Sequence, residues 1–229
     1  MKKLILWDID GTLIYSGGVA GECMREAMAQ VYGGASDNER RSYAGKTDQQ
    51  IIFETFADRD QAELVGGLAA FGAAYIELLS ARRDELAARG RVLDGVMVAL
   101  ERVGAGEVVQ TVLTGNMAPV ARLKLELTGL LHHFDLEVGA YGSDHHRRSE
   151  LVPIAAARAA VRYGRPYAGT DVVVIGDTPH DIACARAAGA RAVAVATGPF
   201  SLADLTAYAP DAALPGLADT EAALAAILG

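Results

Sequence analysis

The sequence predicts an α/β protein in which helices cover both faces of a parallel sheet, with an all-helical segment inserted after the first strand. Short apolar runs such as Leu4–Trp7 and Val172–Ile175 are typical of buried parallel strands. From residue 108 onward such runs alternate with helical patterns, as expected for repeated βα units. From about residue 15 to 90, by contrast, the chain shows helical periodicity and no strand pattern.

Each element of this arrangement has its own signal along the chain. In the inserted segment, apolar residues recur at helical spacing in two runs: Met24, Ala27, Met28 and Val31, then Leu64, Leu68, Phe71, Tyr75 and Leu78. Beyond it, the pattern predicts strands at Val108–Leu113, Leu136–Tyr141 and Ala192–Ala196, and helices at Pro119–Leu127, 150–162, Asp181–Ala188 and Asp219–Leu228. We therefore assign residues 1–14 and 91–229 to the core and residues 15–90 to a helical cap, with hinges at Gly17-Gly18 and Gly90.

Composition and charge narrow the class of protein. A hydrophobic share of 51% supports a packed globule, and no apolar stretch is expected to approach the ~20 residues that span a bilayer. The net charge of −8, without a long basic run, argues against nucleic acid or an anionic membrane as a partner. Two cysteines, Cys23 and Cys184, do not make a disulfide framework, so we expect a reducing cytoplasm.

Polar residues follow the predicted strands at three places. Asp8 and Asp10 come directly after the first strand, Thr114–Asn116 follows a later one, and Asp177 and Asp181 follow a third. Because parallel strands present their carboxyl ends at one edge of the sheet, these groups should converge there. Carboxylates held so close repel one another unless a cation lies between them, and a cluster with oxygen ligands alone favours Mg²⁺.

The order and spacing of these motifs resemble the haloacid dehalogenase superfamily. The resemblance is carried by Asp8-Ile9-Asp10-Gly11-Thr12, Thr114-Gly115-Asn116, a basic residue near 148 and Gly176-Asp177-Thr178-Pro179-His180-Asp181. It covers almost the whole chain and implies a Rossmann-like core. The position of the inserted segment resembles the helical C1 cap of phosphoglycolate phosphatase-like members.

The resemblance also implies roles for the carboxylates. Asp8 would attack phosphorus and form an aspartyl-phosphate, while Asp10 would protonate the leaving alcohol and later deprotonate the hydrolytic water. Magnesium would be held by Asp8, the backbone carbonyl of Asp10 and Asp177, with Asp181 in direct or outer contact.

Phosphate oxygens would be bound by Thr114 and by the amides of Gly115 and Asn116, which precede a helix. The family usually places a lysine before the helix that follows its third motif, and this chain has none there. Arg148 has the spacing from Leu151 that best matches the family's lysine, and Arg147 is the alternative. An arginine can bridge a carboxylate and a phosphate oxygen, so the replacement is chemically sound.

The cap contains Ala44-Gly45-Lys46-Thr47-Asp48, which resembles a loop that related caps lower towards the active site. Lys46 would then contact a remote anionic or hydroxyl group of the substrate. Alternatively, Lys46 is a surface lysine before a helix that Thr47 or Asp48 caps. The sequence leaves both interpretations open.

The predicted function is Mg²⁺-dependent hydrolysis of a small phosphate monoester. A phosphosugar mutase of the β-phosphoglucomutase type would use the same motifs and stays an alternative. Asp10 argues against dehalogenation and against phosphonate cleavage. Phosphonate cleavage relies on a lysine of the cap, however, and Lys46 is a candidate for that lysine. A non-catalytic binding protein on this scaffold would have no need for four mutually repelling carboxylates.

Overall fold

The computed structural model describes residues 3–34 and 42–229. Its strands are β1 Lys3–Trp7, β2 Ile14–Tyr15, β3 Arg91–Val92, β4 Val108–Val112, β5 Val172–Gly176, β6 Arg191–Val195 and β7 Ala212–Leu214. Its α-helices are α1 Val19–Tyr32, α2 Asp48–Thr55, α3 Gln61–Ala81, α4 Arg83–Arg89, α5 Val96–Gly104, α6 Ala118–Leu127, α7 Leu151–Tyr163, α8 Pro179–Ala187, α9 Leu202–Ala207 and α10 Thr220–Leu228. Short 3₁₀ turns cover Leu131–His133, Leu136–Val138, Arg148–Glu150 and Gly169–Asp171.

The main sheet is parallel and has the strand order β4-β1-β5-β6-β7. Strand β1 lies between β4 and β5, so its end is flanked by the ends of both neighbours. The chain leaves β1 for β4 on one side and later reaches β5 on the other. The point where connections diverge in this way is where ligands bind in open α/β sheets.

Alternate residues of β1 enter two separate cores, one on each face of the sheet. Ile5 and Trp7 pack with residues of α5 and α10, whereas Leu4 and Leu6 pack with residues of α7 and α8. Helices therefore cover both faces, and the predicted α/β fold with a Rossmann-like parallel core is confirmed.

The segment between β1 and β4 forms a third core from α1, α3 and their neighbours, joined by Met117 and Val120 at α6. A two-stranded antiparallel ribbon of β2 and β3 lies where the chain enters and leaves this segment. Tyr15 belongs to that ribbon, so the expectation of no strand from residue 15 was wrong by one residue. A side chain at Gly17 would place its Cβ 2.5 Å from Arg89, so the entering and leaving chains touch there.

The predicted strand at Leu136–Tyr141 was wrong. Its first half is a 3₁₀ turn, Leu136–Val138, preceded by Asp135, whose carboxylate accepts a hydrogen bond from the Glu137 amide. Of residues 136–141, Ala140 alone forms a bridge, to Leu113, the residue after β4. The sequence does alternate as in a strand, but the Glu137 amide is hydrogen-bonded by the Asp135 carboxylate and not by a neighbouring strand.

Helix α3 is longer and more apolar than we expected of any stretch of this sequence. It is 21 residues long, and an 18-residue window in it has a mean hydropathy of 1.6, so it could cross a membrane by length and composition. The expectation that no stretch approaches this length was therefore too strict. Because Phe71 and Tyr75 of this helix are buried in the core with α1, length and composition remain weak evidence for a membrane span.

Candidate active site

The ends of β1 and β5 bring Asp8, Arg148 and Asp181 into direct contact. The Asp8 amide donates to the Ile175 carbonyl at 2.9 Å, which extends the sheet pairing to the residue after β1. Arg148 donates through Nη2 to Oδ1 of Asp8 at 2.8 Å and to Oδ1 of Asp181. All three side chains are buried, and the Arg148 guanidinium bridges the two carboxylates.

Asp177 completes a cluster of three carboxylates. Oxygens of Asp8, Asp177 and Asp181 lie within 4.8 Å of one another. Thr12 donates its hydroxyl to Asp177 at 3.0 Å, and Gly11, at φ +86°, turns the chain against the same carboxylate. A Cβ at Gly11 would lie 2.4 Å from Oδ2 of Asp177, so this close approach requires glycine.

Burial makes ionisation of Asp8 and Asp177 unfavourable. It raises the pKa of Asp8 to about 7, although the neighbouring Arg148 opposes the shift. Burial, followed by repulsion from Asp8 and Asp181, raises the pKa of Asp177 to about 8. A divalent cation would relieve both effects.

The cluster fits Mg²⁺ by its donor chemistry. Its ligand atoms are carboxylate oxygens, and the space beside Asp177 is kept open by a glycine. Asp181 already accepts from Arg148 on Oδ1 and from the Thr178 amide and hydroxyl on Oδ2. This engagement favours an outer position for Asp181 and leaves Asp8 and Asp177 as the carboxylates that could bind the ion directly.

We expect Mg²⁺ to stabilise the protein more strongly at pH 8 than at pH 6. Without metal, the folded-state pKa values of Asp8 and Asp177, about 7 and about 8, exceed the ordinary value of 3.8. Their protonation therefore contributes stability that is present below pH 3.8 and is lost as the pH rises through 7 to 8. Because Mg²⁺ binds the charged forms, its stabilising effect grows over that range.

Thermal unfolding with Mg²⁺ and with EDTA at both pH values measures this effect. Asp177→Asn should remove most of the Mg²⁺-dependent rise in Tm, while the exposed Asp58→Asn should leave it unchanged. An equal rise in Tm at pH 6 and pH 8 would contradict the assignment of these buried carboxylates as ligands.

Asp10 does not face the other three carboxylates. Its two oxygens accept from Nζ of Lys124 at 2.9 and 2.7 Å, and Asn116 donates to Oδ2 at 2.7 Å. Asn116 in turn accepts from Lys124 at 2.7 Å and donates to the Thr114 hydroxyl at 2.8 Å. The structure thus separates Asp10 from the carboxylate cluster and ties it to the loop after β4.

The loop after β4 is held by the inserted helical segment. The Asp48 amide donates to the Gly115 carbonyl at 2.8 Å, and the Met117 amide donates to the Asp48 carboxylate at 2.9 Å. Thr47 donates to the His146 carbonyl at 2.6 Å and is the residue that caps α2. Burial raises the pKa of Asp48 to about 7, partly offset by the Met117 hydrogen bond.

A cavity of about 170 Å³ lies between the sheet edge and the inserted segment. The core contributes Asp8, Asp10, Thr114–Asn116, Lys124 and Arg148 to its wall, and the inserted segment contributes Lys46 among others. Lys46 is paired with Glu54 at 2.6 Å. The structure therefore brings Thr114–Asn116, Arg148 and Lys46 to one cavity, while Asp177 and Asp181 lie close to Asp8 without lining that cavity.

Comparison with known proteins gives a match to the family described as haloacid dehalogenase-like hydrolase, over residues 5–186. The chain belongs to that family. It is 29% identical over 200 residues to a phosphoglycolate phosphatase from Chromobacterium violaceum, covering 86% of each chain.

Solved structures show the same fold at low identity. A hydrolase from Pseudomonas syringae is similar with a TM-score of 0.71 at 16% identity, covering 96% of each chain. A β-phosphoglucomutase candidate from Bacteroides vulgatus is similar with a TM-score of 0.69 at 17% identity, covering 100% of this chain and 91% of that one.

Three polar residues of this hydrolase site were missed in the sequence. Thr12 belongs to the first motif without a role of its own, and Asp48 belongs to the cap loop, where its only suggested role is to cap a helix. Lys124 was overlooked, although it is three and four residues beyond Ala121 and Val120, on the buried face of α6. A lysine at core spacing in an amphipathic helix was the available signal.

Proposed function

We propose that the chain is a Mg²⁺-dependent phosphatase that hydrolyses a small phosphate monoester. The observation that carries the proposal is the buried Asp8–Arg148–Asp181 cluster, with Asp177 beside it, at the wall of a cavity that also holds Asp10. This arrangement presents one carboxylate to a bound phosphate, surrounds it with cationic groups, and keeps a second carboxylate for proton transfer.

The proposed reaction has two steps on the protein's own side chains. An oxygen of Asp8 attacks phosphorus, the bond to the leaving oxygen breaks, and Asp10 gives that oxygen a proton. Asp10 then takes a proton from a water that attacks the aspartyl-phosphate, which frees Asp8 and inorganic phosphate. Mg²⁺, held by Asp8, the Asp10 carbonyl and Asp177, would neutralise charge on the phosphate.

Phosphate oxygens would meet Arg148, Thr114 and the amides of Gly115 and Asn116. Arg148 is the better replacement for the missing lysine because it is buried against Asp8, whereas Arg147 is exposed. The inserted segment, residues 15–90, would act as the cap that closes over the cavity and excludes water. Its loop at Thr47 and Asp48 already contacts the core.

The size of the cavity and the similarity to a phosphoglycolate phosphatase both support a small substrate. A cavity of about 170 Å³ suits a small phosphorylated metabolite. The relative from Chromobacterium violaceum is a phosphoglycolate phosphatase, which makes 2-phosphoglycolate the first compound to test. The two free, buried cysteines are consistent with a reducing cytoplasm as the proposed location.

Release of 4-nitrophenol from 4-nitrophenyl phosphate tests the function directly. We expect turnover with Mg²⁺, loss of turnover on addition of EDTA, and recovery when Mg²⁺ is restored in excess. Turnover that survives EDTA would contradict the proposal. A panel of phosphorylated metabolites, with 2-phosphoglycolate and hexose phosphates included, then identifies the substrate class.

A phosphosugar mutase of the β-phosphoglucomutase type remains the second candidate because it needs the same four motifs. The two activities differ in whether water or a sugar hydroxyl takes the phosphoryl group from Asp8. Inorganic phosphate released from hexose phosphates at the rate of substrate loss favours the phosphatase, and isomerised sugar phosphate without phosphate release favours the mutase. A non-catalytic binding protein would bind phosphate with neither product.

Lys46→Ala should change substrate preference. If Lys46 contacts a remote anionic or hydroxyl group, kcat/KM for metabolites that carry one should fall by roughly 10-fold, since a charged hydrogen bond contributes about 1.5–3 kcal/mol. 4-Nitrophenyl phosphate should change less than about 3-fold. Arg59→Ala, which removes a cation paired with Glu63 elsewhere in the segment, is the matched control. No loss with any substrate would make Lys46 a surface lysine of the cap, and an equal loss with all of them would contradict a contact with a remote group.

A further inference from the structure

Lys124 is a buried lysine in the wall of the cavity, and packing does not explain it. Its side chain is 3% exposed, on the face of α6 that also buries Val120, Ala121 and Leu125. Removing an ammonium group from water is unfavourable, and an apolar residue of similar volume at a buried ion-pair site is often neutral or stabilising. The lysine therefore calls for an explanation in terms of its partners.

Those partners fix the Asp10 carboxylate from two directions. Lys124 contacts both Asp10 oxygens, and Asn116 donates to one of them. Asn116 is itself held between Lys124 and Thr114. The four side chains form a closed hydrogen-bonded set that joins Asp10, in the turn after β1, to the loop after β4.

Asp10 needs such support because it lies in a turn at the cavity. Its side chain is 40% exposed, in contrast to the buried Asp8. A carboxylate at such a position samples several rotamers unless other groups restrain it, and a displacement of about 1 Å can reduce a catalytic rate by roughly 10²-fold. Lys124 and Asn116 supply the restraint from the protein side while the exposed side faces the cavity.

We propose that Lys124 is a positioning residue that holds Asp10 in the orientation required for proton exchange with the leaving alcohol. The inference rests on the proposed phosphatase function, in which Asp10 is the acid and base. It assigns no contact between Lys124 and the substrate. It also explains why Asn116 uses its side chain within this cluster, because the same amide connects Asp10 to Thr114.

Two substrates with leaving groups of similar size test the proposal. The leaving group of 4-nitrophenyl phosphate departs without a proton, whereas that of benzyl phosphate needs one. For Lys124→Met we expect kcat/KM to fall by about 10²-fold with benzyl phosphate and by less than about 3-fold with 4-nitrophenyl phosphate. Arg122→Met, which removes an exposed cation from the same helix, should change neither.

A double-mutant cycle with Asp10→Asn shows whether Lys124 acts through Asp10. In the Asp10→Asn background, Lys124→Met should lower kcat/KM for benzyl phosphate by less than about 2-fold. An additive loss, or an equal loss with both substrates, would overturn the proposal. If Lys124→Met does not fold, Lys124→Arg is measured instead, because its longer side chain displaces Asp10 and should give the same selective loss.

Failure of this proposal is distinguishable from failure of the proposed function. A wild-type protein that hydrolyses neither phosphate contradicts the phosphatase assignment itself. An active wild-type protein whose Lys124→Met variant loses both activities equally contradicts only the positioning role.

Discussion

Asp8→Asn abolishes phosphatase turnover, with an expected loss of about 10⁴-fold or more. The reason is chemical, because a carboxamide oxygen at this position cannot form the aspartyl-phosphate. Burial raises the pKa of the Asp8 carboxyl to about 7, so an uncharged side chain is well accommodated in the metal-free protein. Arg148 also keeps Asp181 as a partner in the variant. We therefore expect a folded, inactive protein.

Two measurements separate this outcome from unfolding. Thermal unfolding without metal at pH 8 should show that Asp8→Asn is at least as stable as the wild type, since one buried negative charge is removed. Rapid quenching with labelled substrate should trap phosphate on Asp8 in the wild type and none in the variant. Asp58→Asn is the exposed control. Turnover by Asp8→Asn above about 1% of the wild-type rate would refute the nucleophile assignment.

Arg148→Met reduces both stability and activity. It leaves the Asp8 and Asp181 carboxylates buried without the guanidinium that bridges them, and breaking a buried ion pair in this way costs about 3–5 kcal/mol. Activity should fall by about 10²–10³-fold because the variant lacks the cation that we propose binds the reacting phosphate. The free energy of unfolding in urea and kcat/KM with 4-nitrophenyl phosphate measure the two effects.

Arg147→Met is the matched control. Arg147 is the neighbouring residue and is exposed, so its replacement should change stability by less than about 0.5 kcal/mol and activity by less than about 2-fold. Arg148→Lys should recover part of the activity, because it restores a cation without the bridging geometry. A damaging Arg147→Met beside a neutral Arg148→Met would identify Arg147 as the replacement for the missing lysine.

Much of this molecule could be predicted because its signals are local. The apolar run of β1 ends at Asp8 and that of β5 ends at Asp177, so parallel pairing alone brings both carboxylates to one edge. The helical insert was predicted from periodicity, and α1 and α3 lie where that periodicity placed them. The strand expected at Leu136–Tyr141 failed because an alternating pattern does not reveal a side chain that satisfies the backbone locally.

What could not be predicted depends on contacts between distant parts of the chain. Lys124 is 114 residues from Asp10, and Asp48 is 69 residues from Met117. The residues next to Lys124 and Asp48 in the sequence do not indicate which distant residue each of them contacts. The choice between Arg148 and Arg147 has the same origin, because two adjacent arginines differ only in which of them the fold turns inward.

The sequence by itself determined the fold class, the family and the set of carboxylates, since each depends on short motifs at the ends of strands. The tertiary structure decided how those carboxylates divide. Asp8, Asp177 and Asp181 form a candidate metal cluster, in which Arg148 bridges Asp8 and Asp181, while Asp10 turns to Lys124 and Asn116. Side-chain direction decides this division, because Asp8 is still paired with β5, whereas Asp10 lies in the turn that starts at Ile9, where strand geometry no longer holds the two side chains parallel.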